Sequence, residues 1–328
     1  MGNFSVRDPG SIGVAVLGAG RMGRTHLGNL AAIPNARVVV VADLDPDAAE
    51  AGRGLGRAQR ASTDHVAAIH DEDVEAVVIV TPTNTHAALI DEALRAGKAV
   101  WTEKPIALDL AETARIVELS RELDVPVQVG FMRRFDPGYV RAKELIATGE
   151  LGRIEQFRAS SRDTVPPPLE FLLASGGSFL DMAVHDLDLA RFLVGEVDEV
   201  HAWASVLFDE RFSKADDWDT SVAMLKFRNG ALGVVETARH SAWGYDIRTE
   251  VAGAAGKIVV DEGDRFESFT DRFEVAYQRE LESFFEDLAR GRAPAPGPQD
   301  ALMTLRLAVA CTMSWREDRA VRLDEVGG

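Results

Sequence analysis

The chain has 328 residues, 46% hydrophobic and 27% charged, which is ordinary for a globular protein and long enough for two domains. Lysine and arginine number 36 against 53 aspartates and glutamates, giving a formal net charge of −17. That balance repels nucleic acid and anionic membrane, so neither is expected as a partner, and the charge reads as a solubility feature.

The N-terminal stretch MGNFSVRDPGSIG lacks the apolar core of a secretion signal, and no apolar run reaches the ~18 residues of a membrane span, so a cytoplasmic protein is expected. Ile12 to Leu17 then reads as a short buried strand. Gly18, Gly20 and Gly23 follow in G-x-G-x-x-G spacing, opening a helix with Met22, Leu27 and Leu30 inward. Gly18 permits the tight turn, Gly20 lets the backbone approach a pyrophosphate, and Gly23 lets helix and strand pack closely. Arg21 and Met22 share this loop, and the N–H groups and dipole of the helix start favour an anion. ARVVVVADLD is a second buried strand that delivers Asp43, 25 residues after Gly18 and near the usual offset of about 20. A carboxylate there accepts both ribose hydroxyls of NAD and repels the 2′-phosphate of NADP, so NAD is the expected cofactor. The blander reading is that Asp43 caps the helix that follows.

Strand and helix go on alternating. Ala76 to Val80 is a strand that runs into TPTNTH, AALIDEALRAGK is a helix, AVWTEKP a strand, LDLAETARIVELSRELD a helix and VPVQVG a strand. This order implies an α/β fold with a doubly wound parallel sheet, a Rossmann domain over residues 1–130, with ligands at the carboxyl ends of its strands. Asp43, Thr81, Pro82, Asn84, His86, Glu103 and Lys104 all fall at such ends and are expected around one crevice. Lys104, held by Pro105 beside it, is a candidate for chemistry, although a surface lysine in a loop is the commoner case.

From residue 131 to 328 the pattern becomes α+β. After FMRRFDPGYVRAKELIATGELG, strands arrive in series: RIEQFRASSR, VDEVHAWASVLF, TSVAMLKFRNGALGVVETAR and YDIRTEVAGAAGKIVVD. RNG and AGAAGK are hairpin turns, so a large, mostly antiparallel sheet is expected. Val222, Met224, Leu225, Phe227, Leu232 and Val234 are expected to bury one face on helices. Apolar residues occur at both parities, so the other face is expected to pair with a second subunit in a homodimer or tetramer. The tail gives helices over about 272–290 and 299–316, joined by the rigid RAPAPGP. Val275, Leu281, Phe284, Phe285 and Leu288 form a core stripe on the first, and Tyr277 faces either core or pocket. Cys311, the only cysteine, excludes an internal disulfide and reads as a core residue rather than a catalytic thiol.

GGSFLDMAVHDLDLARFL, 176–193, is apolar on most sides yet carries Asp181, His185, Asp186 and Asp188. As one helix capped by Ser178, it sets Asp181, His185 and Asp188 on a single face. A structural His–Asp hydrogen bond satisfies that pattern. A metal site does not fit well, since no further clustered histidine or cysteine completes a ligand set, and none is expected. An acid–base pair also satisfies it: oxidising an alcohol with NAD releases a proton, histidine titrates near neutrality, and a carboxylate orients the ring.

GAGRMG, EKP after the fifth strand, and GGSFLDMAVHDLD together resemble the glucose–fructose oxidoreductase / inositol dehydrogenase family over nearly the whole chain. VGFMRRFDPGY, YDIRTEVAGAAGK and ALMTLRLAVACTMSWREDRAVRL are similar, more narrowly, to its inositol 2-dehydrogenases. The resemblance implies an NAD-dependent oxidation of a ring hydroxyl of a cyclic polyol or sugar to a ketone. Lys104 would hydrogen-bond the reacting hydroxyl and stabilise the alkoxide, a role that suits a group ordinarily charged at neutral pH. Asp181 and His185 would sit opposite it, with His185 as general base. Thr81, Pro82, Asn84, His86 and Glu103 would line the nicotinamide-ribose side, and Met132 and Arg133 would lie near nicotinamide or substrate. Tyr245 would contact a substrate hydroxyl, with Asp163 and Tyr277 as further candidates. Two rivals stand beside this reading: an NADP-dependent aldose or imine reductase of the same fold, which Asp43 disfavours, and an NAD-binding regulator without catalysis.

Overall fold

A computed structural model describes residues 6–261 and 266–327; the first five residues of the N-terminal stretch discussed above lie outside them. The chain separates into two compact units. The first contains residues 6–131 and the returning segment Tyr277–Leu302; the second contains Met132–Ala276 and the tail from Met303.

Six parallel strands form the sheet of the first unit: β1 (Ile12–Leu17), β2 (Ala36–Ala42), β3 (Arg60–Ser62), β4 (Ala76–Ile79), β5 (Ala99–Glu103) and β6 (Val127–Gly130). Their spatial order is β3-β2-β1-β4-β5-β6. The central strands are runs of valine, isoleucine and alanine buried throughout, as a sheet covered on both faces requires. Aspartates start the crossover helices: Asp45 accepts from Asp47 N–H and Asp109 from Glu112 N–H. Strand order reverses between β1 and β4, and ligands of such sheets bind at that point, beyond the carboxyl ends.

Residues 277–302, expected in the second domain with the rest of the tail, belong to the first unit. Helix Glu274–Ala289 lays Leu281, Phe284, Phe285 and Leu288 into the same core as Val16, Leu27 and Trp101. The connector that follows is tied to β6, where Val129 N–H donates to Pro296 O at 2.9 Å. The stripe was legible, but which of two apolar sheets would bury it was not. The chain then leaves the first unit within helix Pro298–Glu317.

The second unit holds seven strands: β7 (Ile154–Arg162), β8 (Val197–Ser205), β9 (Thr220–Phe227), β10 (Leu232–Ala238), β11 (Asp246–Gly253), β12 (Gly256–Val260) and β13 (Val321–Arg322). They run β12-β11-β7-β10-β9-β8-β13, antiparallel except for the β7/β10 pair. Ser221, Ala223, Leu225 and Phe227 bury one face of β9. Val222, Met224, Leu232 and Val234, expected on that buried face, instead have the opposite parity. Met224 lies beside Val234 and His201, Trp203 beside Val222, and Trp203, Met224 and Leu232 are about half exposed. The fold is therefore α/β, a parallel Rossmann sheet followed by an α+β unit with a large mixed sheet. No described helix is long and apolar enough to cross a membrane.

Candidate active site

The glycine loop leaves β1 as its spacing predicts. Gly18 has φ +98°, and a Cβ there would stand 2.7 Å from Val80 O. Gly23 lies so close to the turn that a Cβ would meet Gly18 O at 2.2 Å. Gly20 is different, because no protein atom lies within 4 Å of where its Cβ would be. Packing does not require glycine at 20, whereas a ligand approaching the backbone does. Helix Arg21–Leu30 begins there with no side-chain cap on its first N–H groups and no acidic residue in its first turn. A cleft of about 560 Å³ opens at this point, lined by Ala19, Gly20, Arg21, Arg24, Asp43, Asp45 and Ala48. Met22 is partly buried.

Asp43 follows β2 and braces the loop: Oδ2 accepts from Ala19 N–H at 2.7 Å and Oδ1 from Asp45 N–H at 2.9 Å. Asp45, not Asp43, caps the next helix, so the capping alternative for Asp43 falls. These residues fit a dinucleotide: open N–H groups for the pyrophosphate, and a fixed carboxylate at the strand end for the ribose.

At the end of β4, Thr81 and Thr85 share a hydroxyl hydrogen bond of 2.7 Å, while Pro82 and Asn84 are exposed. His86 was expected along the cofactor. It is instead buried, with Nδ1 2.8 Å from Pro105 O and Nε2 2.8 Å from Thr81 O. It therefore ties the loop after β4 to the loop after β5. Glu103 ends β5 with Oε1 2.9 Å from Nε2 of the buried His26. His26 in turn packs on Trp101, ring centroids 4.6 Å apart, and on the edge of Tyr277. Trp101 lies in the core of the first unit, and Tyr277, expected to face either core or pocket, is 5% exposed. Lys104, partly exposed, follows Glu103 and precedes Pro105.

In the second unit, the single helix expected over 178–193 is two, Ser178–Asp181 and Val184–Leu193, broken at Met182–Ala183. Gly176 and Gly177, both at positive φ, lead into the first. Ser178 does not cap by its side chain; its N–H donates to Asp217 Oδ1 at 2.9 Å and its hydroxyl to Trp218 O at 2.8 Å. Asp181 ends the first helix, and Oδ2 accepts from Arg239 Nη2 at 2.6 Å. The same guanidinium donates through Nη1 to Asp163 at 3.2 Å. Burial opposes the charge on Arg239, but Asp181 and Asp163 outweigh it and hold the guanidinium above its ordinary pKa. His185 lies in the first turn of the second helix with part of its surface exposed.

The other two aspartates of this segment are structural. Asp186 is fully buried, accepting from Arg133 Nη1 at 2.5 Å and from the Ser161 hydroxyl at 2.7 Å. Asp188 takes a bidentate pair from Arg134 at 2.7 and 2.8 Å. Arg133, expected near nicotinamide or substrate, is an interior ion-pair partner, 3% exposed. Burial opposes its charge and Asp186 overrides that, raising its pKa. Met132 is likewise buried. Tyr245 is mostly buried, its N–H donating to Phe266 O at 3.0 Å, and burial raises its phenol pKa. Arg239 is the functional candidate that motif reading missed. The one signal was an arginine directly after a strand, where its side chain proves to be buried.

Comparison with known proteins places both units in one family. Residues 12–131 match the oxidoreductase family with an NAD-binding Rossmann fold, and residues 139–259 match the GFO/IDH/MocA C-terminal domain. The chain is 38% identical to myo-inositol 2-dehydrogenase of Thermotoga maritima, over 96% of this chain and 99% of that one. It is also 38% identical to scyllo-inositol 2-dehydrogenase (NAD(+)) of Bacillus subtilis, over 94% and 96%. Among solved structures, scyllo-inositol dehydrogenase from Lactobacillus casei with bound NAD(H) and scyllo-inositol aligns at a TM-score of 0.89 and 27% identity, covering 96% of this chain and 99% of that one. With both of its units matched and two such relatives aligned nearly end to end, the chain belongs to the GFO/IDH/MocA family of NAD-binding Rossmann-fold oxidoreductases.

Proposed function

We propose that this protein is an NAD-dependent dehydrogenase that oxidises a ring hydroxyl of a cyclic polyol, an inositol, to the ketone. The observation that carries the reading is Gly20, a glycine that no protein contact requires, in a loop braced by Asp43. The inositol dehydrogenases among the relatives supply the substrate class. Gly18, Gly20, Gly23 and the N–H groups of Arg21 and Met22 hold the pyrophosphate, Asp43 takes the ribose hydroxyls, and Thr81, Asn84 and Glu103 serve the nicotinamide side. Bound NAD supplies the hydride acceptor.

The chain's own residues handle the proton and the developing charge. His185 takes the hydroxyl proton as general base, and Asp181 lies close before it in sequence at the end of a pinned helical turn. Lys104 stabilises the alkoxide electrostatically. Asp163 accepts a second substrate hydroxyl. The open face of the second unit's sheet, with Trp203, Met224 and Leu232 exposed, is the surface on which copies of the chain associate.

The test is direct. Incubation with NAD and a panel including myo- and scyllo-inositol is followed at the NADH absorbance band, and turnover of at least one polyol is expected. Lys104→Ala and His185→Ala each lose most of kcat while NAD still binds. Wild type that reduces NAD with none of the panel, or full activity in either variant, refutes the assignment.

A further inference from the structure

Arg239, the residue after β10, is 5% exposed, and its guanidinium donates in three directions. Nη2 reaches Asp181 at 2.6 Å, Nη1 reaches Asp163 at 3.2 Å, and Nε reaches the Ser178 hydroxyl at 3.4 Å. The sheet register creates this meeting. β7 and β10 run parallel with Arg162 beside Ala238, so residues 163 and 239 leave the sheet as neighbours, and Asp163 N–H donates to Ala238 O at 3.0 Å. Ser178, held by Asp217 and Trp218, then fixes the helical turn that ends in Asp181. The cation is interior, whereas the side chains of Asp181 and Asp163 are 18% and 26% exposed. One buried guanidinium thus holds two carboxylates whose side chains both reach the surface.

We propose that Arg239 is a positioning residue, which presents Asp163 and Asp181 together as acceptors for two hydroxyls of one polyol ring. This deepens the dehydrogenase reading and rests on it. A neutral substrate whose recognisable groups are hydroxyl donors calls for acceptors, and a carboxylate presents only acceptors. Left alone, two like charges repel and swing toward water. A planar fork with donors in fixed directions holds both, and an ammonium does not reproduce that geometry. A merely structural ion pair would lower stability when removed and leave the folded enzyme's kinetics intact.

The experiment compares wild type, Arg239→Lys, Arg239→Gln and Asp163→Asn at a temperature well below each melting transition. It measures kcat and KM for the inositol that wild type turns over, and Kd for NAD by calorimetry. The expected result is an unchanged NAD Kd in all variants. Polyol kcat/KM falls roughly 10-fold in Arg239→Lys, which keeps the charge but not the fork, and about 100-fold in Arg239→Gln, the scale of a misplaced catalytic group. Asp163→Asn raises KM more than it lowers kcat. If Arg239→Gln fails to fold, the double variant Arg239→Gln/Asp163→Asn, which removes one charge of each sign, replaces it with the same expected loss. Wild-type kcat/KM in folded Arg239→Lys together with Arg239→Gln or the double variant overturns the proposal alone. Wild type that turns over no polyol overturns the underlying reading, and this one with it.

Discussion

Gly20→Ala separates a ligand's demand for glycine from a packing demand. A methyl at this position meets no protein atom within 4 Å, and the backbone sits at φ −68°, ψ −162°, extended and open to an L-residue. Replacing glycine reduces the freedom of the unfolded chain, a gain of about 0.4–1 kcal/mol. Alanine is also the poorer helix cap, which offsets much of that gain. The melting temperature without cofactor should therefore scarcely move. NAD binding should respond quite differently, because the methyl occupies the space a pyrophosphate needs. Losing a backbone N–H bond to a charged oxygen costs roughly 1.5–3 kcal/mol, which raises Kd about 10- to 100-fold. Thermal melting without NAD and calorimetric titration with NAD read the two effects separately. Gly23→Ala is the control: its Cβ would stand 2.2 Å from a backbone oxygen, so it should destabilise the apoprotein itself. An unchanged Kd in Gly20→Ala would show that nothing approaches this residue. A loss of melting temperature as large as that of Gly23→Ala would show that packing, not a ligand, requires the glycine.

Asp43→Ala should weaken NAD about 10- to 100-fold, the worth of a charge-assisted hydrogen bond, and narrow the preference for NAD over NADP; parallel titrations with both dinucleotides check it, and equal affinities in wild type would refute the role. Burial pushes the Cys311 thiol up to about 12. A thiol-disulfide reagent at mildly alkaline pH should therefore label it only after denaturation, and rapid labelling of native protein would contradict its placement. Introducing charge on the open sheet face, with Trp203→Glu and Met224→Glu together, should shift the assembly state toward monomer in size-exclusion chromatography with light scattering. A wild type that is already monomeric removes that surface from consideration as a subunit contact.

What the sequence disclosed depended on how local the cause was. The glycine turn, the buried strands of the first sheet and both hairpins of the second follow from short-range patterns, and the structure places them as read. The acidic helix was harder. Its four-residue spacing looks continuous through Met182 and Ala183, and nothing in the composition marks a break. Local pattern also does not disclose the partners of Asp186 and Asp188, because Arg133 and Arg134 lie more than fifty residues away. Arg239 escaped for the same reason, since only the β7/β10 register brings it to Asp163. His86 sits at a strand end as expected, yet a strand-end position does not say whether an imidazole faces a ligand or binds two carbonyls.

The returning helix has a consequence for synthesis. Leu281, Phe284, Phe285 and Leu288 complete a core whose strands were all made by residue 130. A nascent chain halted there carries every strand of its nucleotide-binding sheet with part of the interior still missing. That half lacks part of its interior until residue 288 of 328 has been translated, and neither half can be cut out as one uninterrupted piece of gene.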